Sequence, residues 1–514
     1  MKKENKKLLV TTAIDYVNSF PHAGHAFEKI QADVIARYSR LLGRDVFFLT
    51  GSDENSLKNV RAAENEGISV KDFVDRNAAK FQELKGLLNL SFDDFVRTTE
   101  ERHIQGVQKL WQECAKKGDL YLGEYEGLYC VGCEAYFTPD ELENGCCPEH
   151  KTEPEKIKEK NWFFRLSKYQ QQIKEVIENE AIKIVPETRR NEILSFLKQD
   201  LRDICVSRSN ERAKNWGISV PGDDTQKVWC WFDALGNYIT ALGYGSDEKK
   251  FNDYWENGEV LHVIGKGISR FHAVYWLGIL LSAGVKIPDK IFIHGYITVD
   301  GQKMSKSIGN VINPFELVEK YAQKIGNKEA AVDAVRYFLS REISPTEDGD
   351  FTYEKFEGRY NSDLASGIGN LLARVVTLAS KISDSVILSQ QAKNPGVRPF
   401  ARPRRPQGDT AVSFSNTNFQ TKTEEIKKQY KQFLDEFKFN EALGAVWGLI
   451  GFCDKYVNDN KPWEGGEDAP QVISDLLLVL QEIAELLKPF MPQTAEKILE
   501  QVKTGKSQPL FPRI

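Results

Sequence analysis

A repeated alternation of strand-like and helical patterns constrains the fold of this 514-residue chain more than any other feature. Residues 8–14, LLVTTAI, are a short apolar run typical of a buried strand, and a helical pattern follows over residues 25–42. Residues 45–51, DVFFLTG, predict the next strand, with Ser52 or Asp53 as the cap of a further helix. Because strands that alternate with helices form a parallel sheet with crossover helices, we predict an α/β fold.

The same alternation returns later in the chain. Residues 259–267, EVLHVIGKG, and residues 290–299, KIFIHGYITV, are strand-like, and a helical pattern covers residues 269–284 between them. Residues 117–225 interrupt the alternation and carry a cysteine cluster, which indicates an inserted domain. In the last third of the chain, long amphipathic helical patterns predominate and predict an all-α domain.

Charge and hydropathy narrow the class of protein. The chain has a net charge of -5, a mean hydropathy of -0.44 and no run of 18 or more apolar residues. Neither a membrane span nor a global basic field that attracts nucleic acid is therefore expected, and any RNA contact has to come from a local patch. The Lys-rich start lacks the apolar core of a signal peptide, so a cytoplasmic, reducing location is expected.

The segment PHAGH follows the first predicted strand and opens the first helix. His22 and His25 stand three residues apart, with Gly24 between them. Helix starts at the carboxyl ends of parallel strands attract phosphates through free N–H groups. Two imidazoles there can donate hydrogen bonds to a triphosphate, and Gly24 leaves room for a nucleotide. Taken alone, the segment also fits a chance pair of loop histidines or zinc ligation.

The segment GQKMSKS, residues 301–307, contains two lysines and two serines, and glycines at 301 and 309 flank it. Most short segments of this composition are solvated turns. A mobile arm that closes over phosphate groups is the functional alternative. The presence of PHAGH upstream favours this second interpretation.

The two segments resemble the HIGH and KMSKS motifs of class I aminoacyl-tRNA synthetases, with Ala23 in place of the usual apolar residue. The resemblance to the methionyl-tRNA synthetase family covers nearly the whole chain. It includes, in the family's order, YVNSFPHAGHAFEKIQADVIARYSRLLG, FLTGSDEN, YCVGC, NWFFRLSKY, WFDALGNYITAL, GKGISRFHAVYW, IFIHGYITVDGQKMSKSIGN and NKPWE. Blocks of this length in one order are far more specific than either short motif.

The resemblance implies a Rossmann-like α/β catalytic domain with a parallel sheet, an inserted zinc-binding domain, and an all-α helical bundle that binds the anticodon. The implied divisions are the first half of the catalytic domain, 1–116; the connective domain with a zinc knuckle, 117–225; the second half of the catalytic domain, 226–300; the KMSKS loop and stem-contact region, 301–355; and the anticodon-binding domain, 356–514, with a flexible excursion near 388–420.

The implied reaction is the adenylation of methionine by ATP, followed by transfer to tRNA(Met). A carboxylate is already ionised at neutral pH and needs no general base, so catalysis rests on positioning and on neutralising phosphate charge. The residues implied for catalysis, with Mg²⁺ assisting, are His22, His25, Lys303 and Lys306. ATP binding is implied for these four together with Gly24, Met304, Ser305 and Ser307.

A methionine pocket needs apolar and aromatic walls that meet a polarisable thioether. The resemblance implies that Asp53 pairs with the substrate ammonium and that the walls come from Ile14, Tyr16, Trp231, Ala234, Tyr238, Ile268 and His272. Two places depart from the family's pattern. Asn55 and Ser56 stand where many relatives have His-Gly, and Gly267 stands where an acid is usual, which removes one expected contact near the nucleotide.

Cys130-x-x-Cys133 and Cys147-x-x-His150 have the spacing of two knuckles that supply four tetrahedral ligands to a structural Zn²⁺. Cys146 competes with Cys147, but only Cys147 has the two-residue spacing from His150. Four protein ligands leave no open position, which argues against a catalytic metal. A cluster of reduced cysteines without metal is the alternative.

An anticodon is read as single-stranded bases, by stacking and by hydrogen bonds to base edges. Asn370 and Arg374 lie four residues apart and share a predicted helix face, and Trp463 follows a proline at a predicted helix start. By themselves these residues more often form a solvated face and a core anchor; the resemblance implies that they contact the anticodon of initiator and elongator tRNA(Met). Because no further domain follows the helical one, a monomer is expected.

Three other functions fit part of the pattern. Leucine, isoleucine and valine synthetases carry a large editing insertion for which this chain leaves little space, and WFDALGNY favours methionine. A cysteine-specific synthetase places zinc at the substrate and not in an inserted domain. A non-catalytic tRNA-binding paralogue needs no phosphate-binding residues, and it would show no ATP–pyrophosphate exchange with any amino acid.

Overall fold

The computed structural model describes residues 7–132, 135–137, 139–149, 151–304, 309–381 and 417–514, without the side chains of Tyr125, Ala135, Tyr136 and Cys230. Most of the predicted excursion near 388–420 lies outside these residues. The strands are β1 (Leu8–Thr12), β2 (Asp15–Tyr16), β3 (Val46–Asp53), β4 (Asp94–Arg97), β5 (Leu120–Cys130), β6 (Ala135–Phe137), β7 (Glu155–Phe164), β8 (Lys183–Val185), β9 (Ile204–Cys205), β10 (Ser207–Ser209), β11 (Ser219–Val220), β12 (Asp223–Val228), β13 (Glu259–Gly265), β14 (Lys290–His294), β15 (Ile297–Val299), β16 (Gln302–Lys303) and β17 (Gly349–Phe351).

The α-helices of the described residues are α1 (Ala23–Leu41), α2 (Leu57–Glu66), α3 (Val70–Leu87), α4 (Glu101–Lys116), α5 (Gln170–Glu178), α6 (Glu187–Phe196), α7 (Cys230–Thr240), α8 (Leu277–Ala283), α9 (Pro314–Ile325), α10 (Lys328–Arg341), α11 (Tyr353–Arg359), α12 (Asn370–Lys381), α13 (Thr417–Asp435), α14 (Phe439–Asn460), α15 (Ala469–Leu487) and α16 (Pro492–Thr504). Segments Phe251–Glu256, Phe271–Trp276 and Tyr360–Gly369 are π-helical, and Pro139–Glu141, Leu166–Tyr169, Lys266–Ile268 and Pro462–Glu464 are turns of 3₁₀ helix.

The chain divides into two compact units. The first contains the described residues up to Pro21, Asp45–Lys85 and Ser91–His294. The second contains His22–Arg44, Gly86–Leu90 and the described residues from Gly295 onward. Helix α1, which the sequence pattern assigned to the catalytic domain, therefore belongs to the second unit.

The first unit is built on a parallel sheet, as predicted. Its strands lie in the order β4-β3-β1-β13-β14-β8, with β2 beside the end of β3, and every pairing is parallel. Every residue of β1 and β3 is buried, as expected of parallel strands covered on both faces. From β1 the sheet continues to β3 on one side and to β13 on the other. Such a reversal of direction creates a crevice at the carboxyl ends of the strands, where open α/β sheets bind ligands.

Two small antiparallel sheets lie within the range predicted as an insertion. One has the order β6-β5-β7-β9, with a long β5–β7 ribbon, and the other has the order β10-β12-β11. Strand β8, in the same range, pairs in parallel with β14 in the main sheet. Part of this range therefore belongs to the main sheet. The sequence pattern did not predict this, because a strand of three residues is too short to show a periodicity.

The prediction of one continuous strand over residues 290–299 is wrong. The segment forms β14 and β15, which belong to different sheets. The break falls at Gly295, where a Cβ would lie 2.2 Å from the carbonyl oxygen of Glu347. The backbone has to pass this close to another segment, which only glycine permits.

The helix cap predicted at Ser52 or Asp53 is also wrong. Strand β3 extends to Asp53, and the side chain of Ser56 caps α2 by accepting from the N–H of Asn59. One of the two residues that depart from the family's His-Gly pattern thus has a local role, since serine is a favourable cap.

The second unit is mainly helical. Besides its helices it contains the small sheet β16-β15-β17. The all-α character predicted for the last third of the chain is confirmed for its described residues after Phe351: α12 and α15 fall on the two amphipathic patterns read from the sequence. Among the helices of the described ranges, none is long and apolar enough to cross a membrane.

A buried arginine joins several elements of the second unit. Arg336 on α10 donates to Asp33 on α1 at 2.8 Å, and both side chains are fully buried. The same guanidinium donates to the carbonyl oxygens of Leu88, Pro489 and Phe490. With these acceptors a buried charge is both paired and hydrogen-bonded, which is the condition for its burial.

Candidate active site

His22 and His25 lie together where α1 begins. Their ring centroids are 3.7 Å apart, and the planes are inclined by 22°. The backbone N–H of His22 donates to Nδ1 of His25 at 3.0 Å, and the backbone N–H of Gly24 donates to Nδ1 of His22 at 3.1 Å. Because Nδ1 accepts in both rings, each neutral imidazole carries its proton on Nε2. One turn of chain thus contains two imidazoles of the same tautomer.

The surroundings keep His25 neutral. Removal of water from its ring, and to a smaller extent the positive charge of Lys29, lowers the pKa of His25 to about 3. At pH 7 this ring is therefore neutral, and it can take part in a hydrogen bond but carries no positive charge. The negative charge of a phosphate bound here would have to be neutralised by groups other than His25.

The first backbone amides of α1 are engaged within the chain. The N–H of Ala23 donates to the carbonyl oxygen of Ile312 at 2.8 Å, and that of Gly24 to His22. These two amides are therefore satisfied within the protein and are not among the free N–H groups that the sequence interpretation invoked. The imidazoles of His22 and His25 remain the candidate phosphate ligands at this helix start.

Gly24 makes room for a side chain of the protein itself. A Cβ at this position would lie 2.9 Å from Cε1 of His22 and 3.5 Å from Cε of Met304. The sequence interpretation had Gly24 leave space for a nucleotide. In the structure, Gly24 leaves space for the ring of His22. Met304 of the second motif also lies beside Gly24 of the first motif.

The second motif begins in a tight hairpin. Strand β15 pairs antiparallel with β16, and Asp300 and Gly301 form the turn with φ of 51° and 73°, a combination typical of a two-residue hairpin turn. Lys303 is exposed at the end of β16, with Nζ 5.5 Å from the ring centroid of Tyr296. Asn310 donates to the carbonyl oxygen of Lys303 at 3.2 Å, which closes the base of the loop. Outside the described residues lie Ser305, Lys306 and Ser307.

The residues predicted to bind methionine lie around the carboxyl ends of three sheet strands in the first unit. Asp53 ends β3, is buried, and is the register partner of Tyr16 on β2. The remaining predicted residues follow β1 or β13 or stand on α7; they are Ile14, Trp231, Ala234, Tyr238, Ile268 and His272. Ile14, Trp231 and Ile268 pack, partly buried, on the same apolar core.

A hydrogen bond joins Tyr238 and His272. The hydroxyl of Tyr238 lies 2.7 Å from Nε2 of His272, and Nδ1 of His272 lies 2.9 Å from the carbonyl oxygen of Ile268. A carbonyl oxygen only accepts, so Nδ1 of His272 carries a proton; in the neutral ring Nε2 then accepts from the Tyr238 hydroxyl. The predicted pocket residues Tyr238, Ile268 and His272 are thus held in one arrangement.

Sequence reasoning missed the partner of Trp231. The indole stacks on Phe271 with centroids 3.6 Å apart and planes inclined by 5°. Phe271 precedes His272 in GKGISRFH, so its place beside a predicted pocket residue was the available signal. The stack shows that one face of Trp231 is used for packing against a neighbouring aromatic side chain.

Two of the four predicted zinc ligands lie in the described residues. Cys130 and Cys147 are buried, whereas Cys146 is half-buried. The N–H of Cys147 donates to Thr152, and the N–H of Lys151 donates back to Cys147, so the chain turns tightly around Cys147. Cys133 and His150 lie outside the described residues, within which no group of three or more His, Cys, Asp and Glu side chains could hold a metal. Two buried sulfurs, one on a tight turn, fit the donor type that a structural zinc prefers.

Two of the three residues predicted to contact an anticodon, Arg374 and Trp463, lie close together in the second unit. The guanidinium carbon of Arg374 lies 6.0 Å from the ring centroid of Trp463, whose side chain is 50% exposed. Arg374 also donates to Asn458 at 2.8 Å and lies 3.4 Å from Asp454. Asn370 is exposed one turn before Arg374 on α12. An exposed indole beside an arginine is suited to stacking on a base.

Comparison with known families matches both parts of the chain. The family model described as tRNA synthetases class I (M) matches residues 8–156 and 132–376. The model described as anticodon-binding domain of tRNA ligase matches residues 416–512. Together they account for most of the sequence.

Curated relatives and solved structures agree with these matches. The chain is 38% identical to a methionine–tRNA ligase of Brucella suis over 96% of this chain and 91% of that protein. It is 39% identical to one of Rhizobium meliloti over 97% of this chain and 92% of that protein. Mycobacterium tuberculosis methionyl-tRNA synthetase in complex with methionyl-adenylate superposes with a TM-score of 0.85 at 34% identity, covering 99% of this chain and 100% of that one.

Proposed function

The chain belongs to the methionyl-tRNA synthetases of class I, and on this premise we propose how it acts as a methionine–tRNA ligase. It activates methionine with ATP to methionyl-adenylate and pyrophosphate, and then transfers methionine to the 3′-terminal adenosine of tRNA(Met). The observation that carries the proposal is that whole-chain similarity to methionine–tRNA ligases coincides with a preserved histidine pair, whose tautomers suit phosphate binding.

The first step needs no base from the protein. The ionised methionine carboxylate attacks the α-phosphorus of ATP in line; a bond from the carboxylate oxygen to phosphorus forms, and the bond to the bridging oxygen breaks. Pyrophosphate leaves with the electron pair of that bond. In the second step a ribose hydroxyl of the tRNA terminus attacks the methionyl carbonyl carbon. The ester bond forms, the bond from that carbon to the phosphate oxygen breaks, AMP leaves with its electron pair, and the hydroxyl proton passes to solvent.

Phosphate binding is the role proposed for both motifs. His22 and His25 donate through Nε2–H to phosphate oxygens, and Lys303 and Lys306 neutralise the charge that builds up on pyrophosphate, with Mg²⁺ that accompanies ATP. Gly24 preserves the orientation of His22. The segment of Met304, Ser305 and Ser307 closes over the nucleotide as part of an active-site loop. The exposure of Lys303 and the closed base of its loop support this role.

The methionine pocket is proposed at the carboxyl ends of the main sheet. Asp53 pairs with the substrate ammonium. Tyr238 and His272 meet the thioether, and the remaining wall is formed by Ile14, Tyr16, Trp231, Ala234 and Ile268. The fixed Tyr238–His272 hydrogen bond supports this assignment, because a pre-arranged wall loses little freedom when an unbranched substrate binds.

The helical part of the chain is proposed to bind the anticodon of both initiator and elongator tRNA(Met). Trp463 stacks on an anticodon base, and Asn370 and Arg374 bond to base edges. The exposure of Trp463 and its nearness to Arg374 support this role.

A structural Zn²⁺ is proposed in a connective domain within residues 117–225. Its ligands are Cys130, Cys133, Cys147 and His150. The metal would stabilise the fold by cross-linking the two turns that carry these ligands, because such turns bury few apolar side chains of their own. The burial of Cys147 relative to Cys146 supports the ligand choice. We further expect a monomeric, cytoplasmic enzyme.

Exchange of labelled pyrophosphate into ATP tests the proposal when each of the twenty amino acids is supplied singly. Exchange that depends on methionine alone establishes reaction class and substrate together. Exchange with another amino acid would retain the phosphate chemistry and discard the pocket assignment. Absence of exchange with every amino acid, while tRNA still binds, would replace the proposal by a tRNA-binding paralogue.

A further inference from the structure

Asn55, one of the residues that depart from the family's pattern, bridges two sides of the proposed methionine pocket. Its side-chain amide donates to Oδ2 of Asp233 on α7 at 2.8 Å and to the carbonyl oxygen of Thr98 at 3.1 Å. Asn55 and Asp233 are both buried. Asn55 lies two residues beyond Asp53, the proposed ammonium anchor. The bond therefore links the segment that carries the anchor to the helix that carries the aromatic wall.

On the far side, the chain of hydrogen bonds continues to α4. Nε2 of His103 lies 2.6 Å from Oδ1 of Asp233, and Nδ1 of His103 lies 2.7 Å from the hydroxyl of Thr240. All three side chains are fully buried. Asp233 and Thr240 are seven residues apart on α7 and share a face of the helix. His103 thus holds α7 at two positions, Asp233 and Thr240, and shares the Asp233 carboxylate with Asn55.

The segment that carries Asp53 is itself firmly held. The side-chain amide of Asn59 donates to the carbonyl oxygen of Asp53 at 2.9 Å, and the indole of Trp216 donates to that of Glu54 at 2.8 Å. Arg97 forms a two-pronged bond with the carboxylate of Glu54, at 2.6 and 3.0 Å. A displacement of this segment would break several buried and partly buried hydrogen bonds together, so Asn55 is attached to a rigid support.

Helix α7 on the other side carries three of the proposed pocket residues, Trp231, Ala234 and Tyr238. Ala234 directly follows Asp233, and the other two lie within about one turn and a half of it. The position of the Asp233 carboxylate therefore sets the position of this wall relative to Asp53. A pocket can distinguish an unbranched apolar side chain from others only by its length and by the groups at its two ends.

We propose that Asn55, Asp233 and His103 form a positioning network that sets the distance between the ammonium anchor and the thioether wall, and that it thereby determines methionine affinity and the rejection of shorter amino acids. The inference rests on the proposed function and assigns a role that the reaction itself does not require. The three are positioning residues, because they act on the substrate only through Asp53 and α7. The amide of Asn55 does here what a histidine N–H can do in relatives with His at this position, since both groups donate to a carboxylate.

Steady-state pyrophosphate exchange on Asn55→Leu, a change of similar volume that removes the donor, tests the network. A displacement of about 1 Å in a substrate site costs on the order of 10²-fold, so we expect KM for methionine to rise at least ~10-fold while KM for ATP and kcat change less than ~3-fold. Discrimination of methionine against leucine and norvaline, whose side chains are shorter, should fall by a similar factor. Asn55→His, which restores a donor, should return KM for methionine to within ~3-fold of the unaltered enzyme.

Asn161 is the matched control. It is also buried in the first unit, and its amide donates to the carboxylate of Glu159 at 3.0 Å, on β7. Asn161→Leu should lower the unfolding temperature as much as Asn55→Leu and leave KM for methionine unchanged. If Asn161→Leu and Asn55→Leu raise KM equally, or if Asn55→Leu lowers only the unfolding temperature, the network is structural and the inference is overturned.

Two further measurements keep the test decisive. If Asn55→Leu does not fold, Thr240→Val removes the outermost bond of the network without loss of volume, and KM for methionine should rise ~3-fold or more; an unchanged KM overturns the inference. Calorimetric binding of methionine to the unaltered enzyme separates the two levels of the argument. An unaltered enzyme that neither binds methionine nor exchanges with it contradicts the proposed function, whereas normal behaviour of that enzyme with unresponsive variants contradicts only the network.

Discussion

Gly24 of the first motif lies beside Met304 of the second: a Cβ at position 24 would be 3.5 Å from Cε of the methionine and 2.9 Å from the ring of His22. The two motifs are far apart in sequence, yet both belong to the second unit and meet at one point. Glycine at this point is therefore a packing requirement of the histidine pair.

Gly24→Ala should slow pyrophosphate exchange by roughly 30-fold or more, because the new methyl group displaces His22 from its amide bond. The matched control is Gly448→Ala, within α14, where a Cβ meets nothing within 4 Å. That change should leave exchange intact and stabilise the helix by about 0.5–1 kcal/mol. Equal rates for both variants would remove the steric argument for Gly24.

Lys306→Ala should slow adenylate formation by at least ~10²-fold, as expected when a contact to developing phosphate charge is lost. KM for methionine should remain within ~3-fold, since the role proposed for this lysine is on the nucleotide and not on methionine. Rapid-quench measurement of the adenylate, with the exposed Lys428→Ala as control, gives both quantities. A near-normal rate for Lys306→Ala would assign the phosphate charge to other groups.

Tyr238→Phe should raise KM for methionine by roughly 5–10-fold and leave KM for ATP unchanged. Loss of the hydroxyl leaves Nε2 of His272 without its donor in the pocket wall, and a buried group left without its partner costs about 1–3 kcal/mol. The buried Tyr244, in the same unit, supplies the control Tyr244→Phe. If Tyr238→Phe and Tyr244→Phe have the same KM for methionine, the hydroxyl of Tyr238 has no role in binding methionine.

Metal analysis of the purified protein should find about one zinc per chain. Cys147→Ser should lose the metal, and Cys146→Ser should keep it, because Cys147 is fully buried while Cys146 is partly open to solvent. The opposite pattern of loss would exchange the two residues in the ligand set.

Asp333 makes the stability of the second unit depend on pH. Burial raises the pKa of its carboxyl group to about 6 from an ordinary value of 3.8. The folded state therefore binds the proton more tightly than the unfolded state, and the free energy of unfolding falls as pH rises from about 4 to about 6. Above pH 6 the loss is on the order of 2–3 kcal/mol.

Asp333→Asn should remove this dependence. The amide oxygen can still accept from the backbone N–H of Thr494, which Asp333 holds at 2.6 Å. Urea unfolding at pH 7.5 should show the variant to be more stable by about 2 kcal/mol, and the difference should shrink towards pH 4. A variant that is less stable at pH 7.5 would show that the carboxylate charge is needed, most directly by the neighbouring Arg336.

Local patterns predicted the regular elements well. The strand predicted from residue 259 is β13, and the helix predicted over residues 25–42 is α1, because apolar periodicity is a property of neighbouring residues. Features that depend on distant residues were not predicted. The break at Gly295 arises from contact with Glu347, and the role of Asn55 arises from Asp233, 178 residues further on.

The sequence by itself determined the chemical groups and their order: the two histidines, the lysine-bearing loop, the paired cysteine spacings and the alternation that produces a parallel sheet. Only the tertiary structure decided how those groups behave. Packing makes His25 a neutral donor, occupies the first amides of α1 and fixes the hydrogen bond of Tyr238 to His272. Ionisation and hydrogen bonding depend on burial and on partners remote in the chain, and no local pattern carries that information.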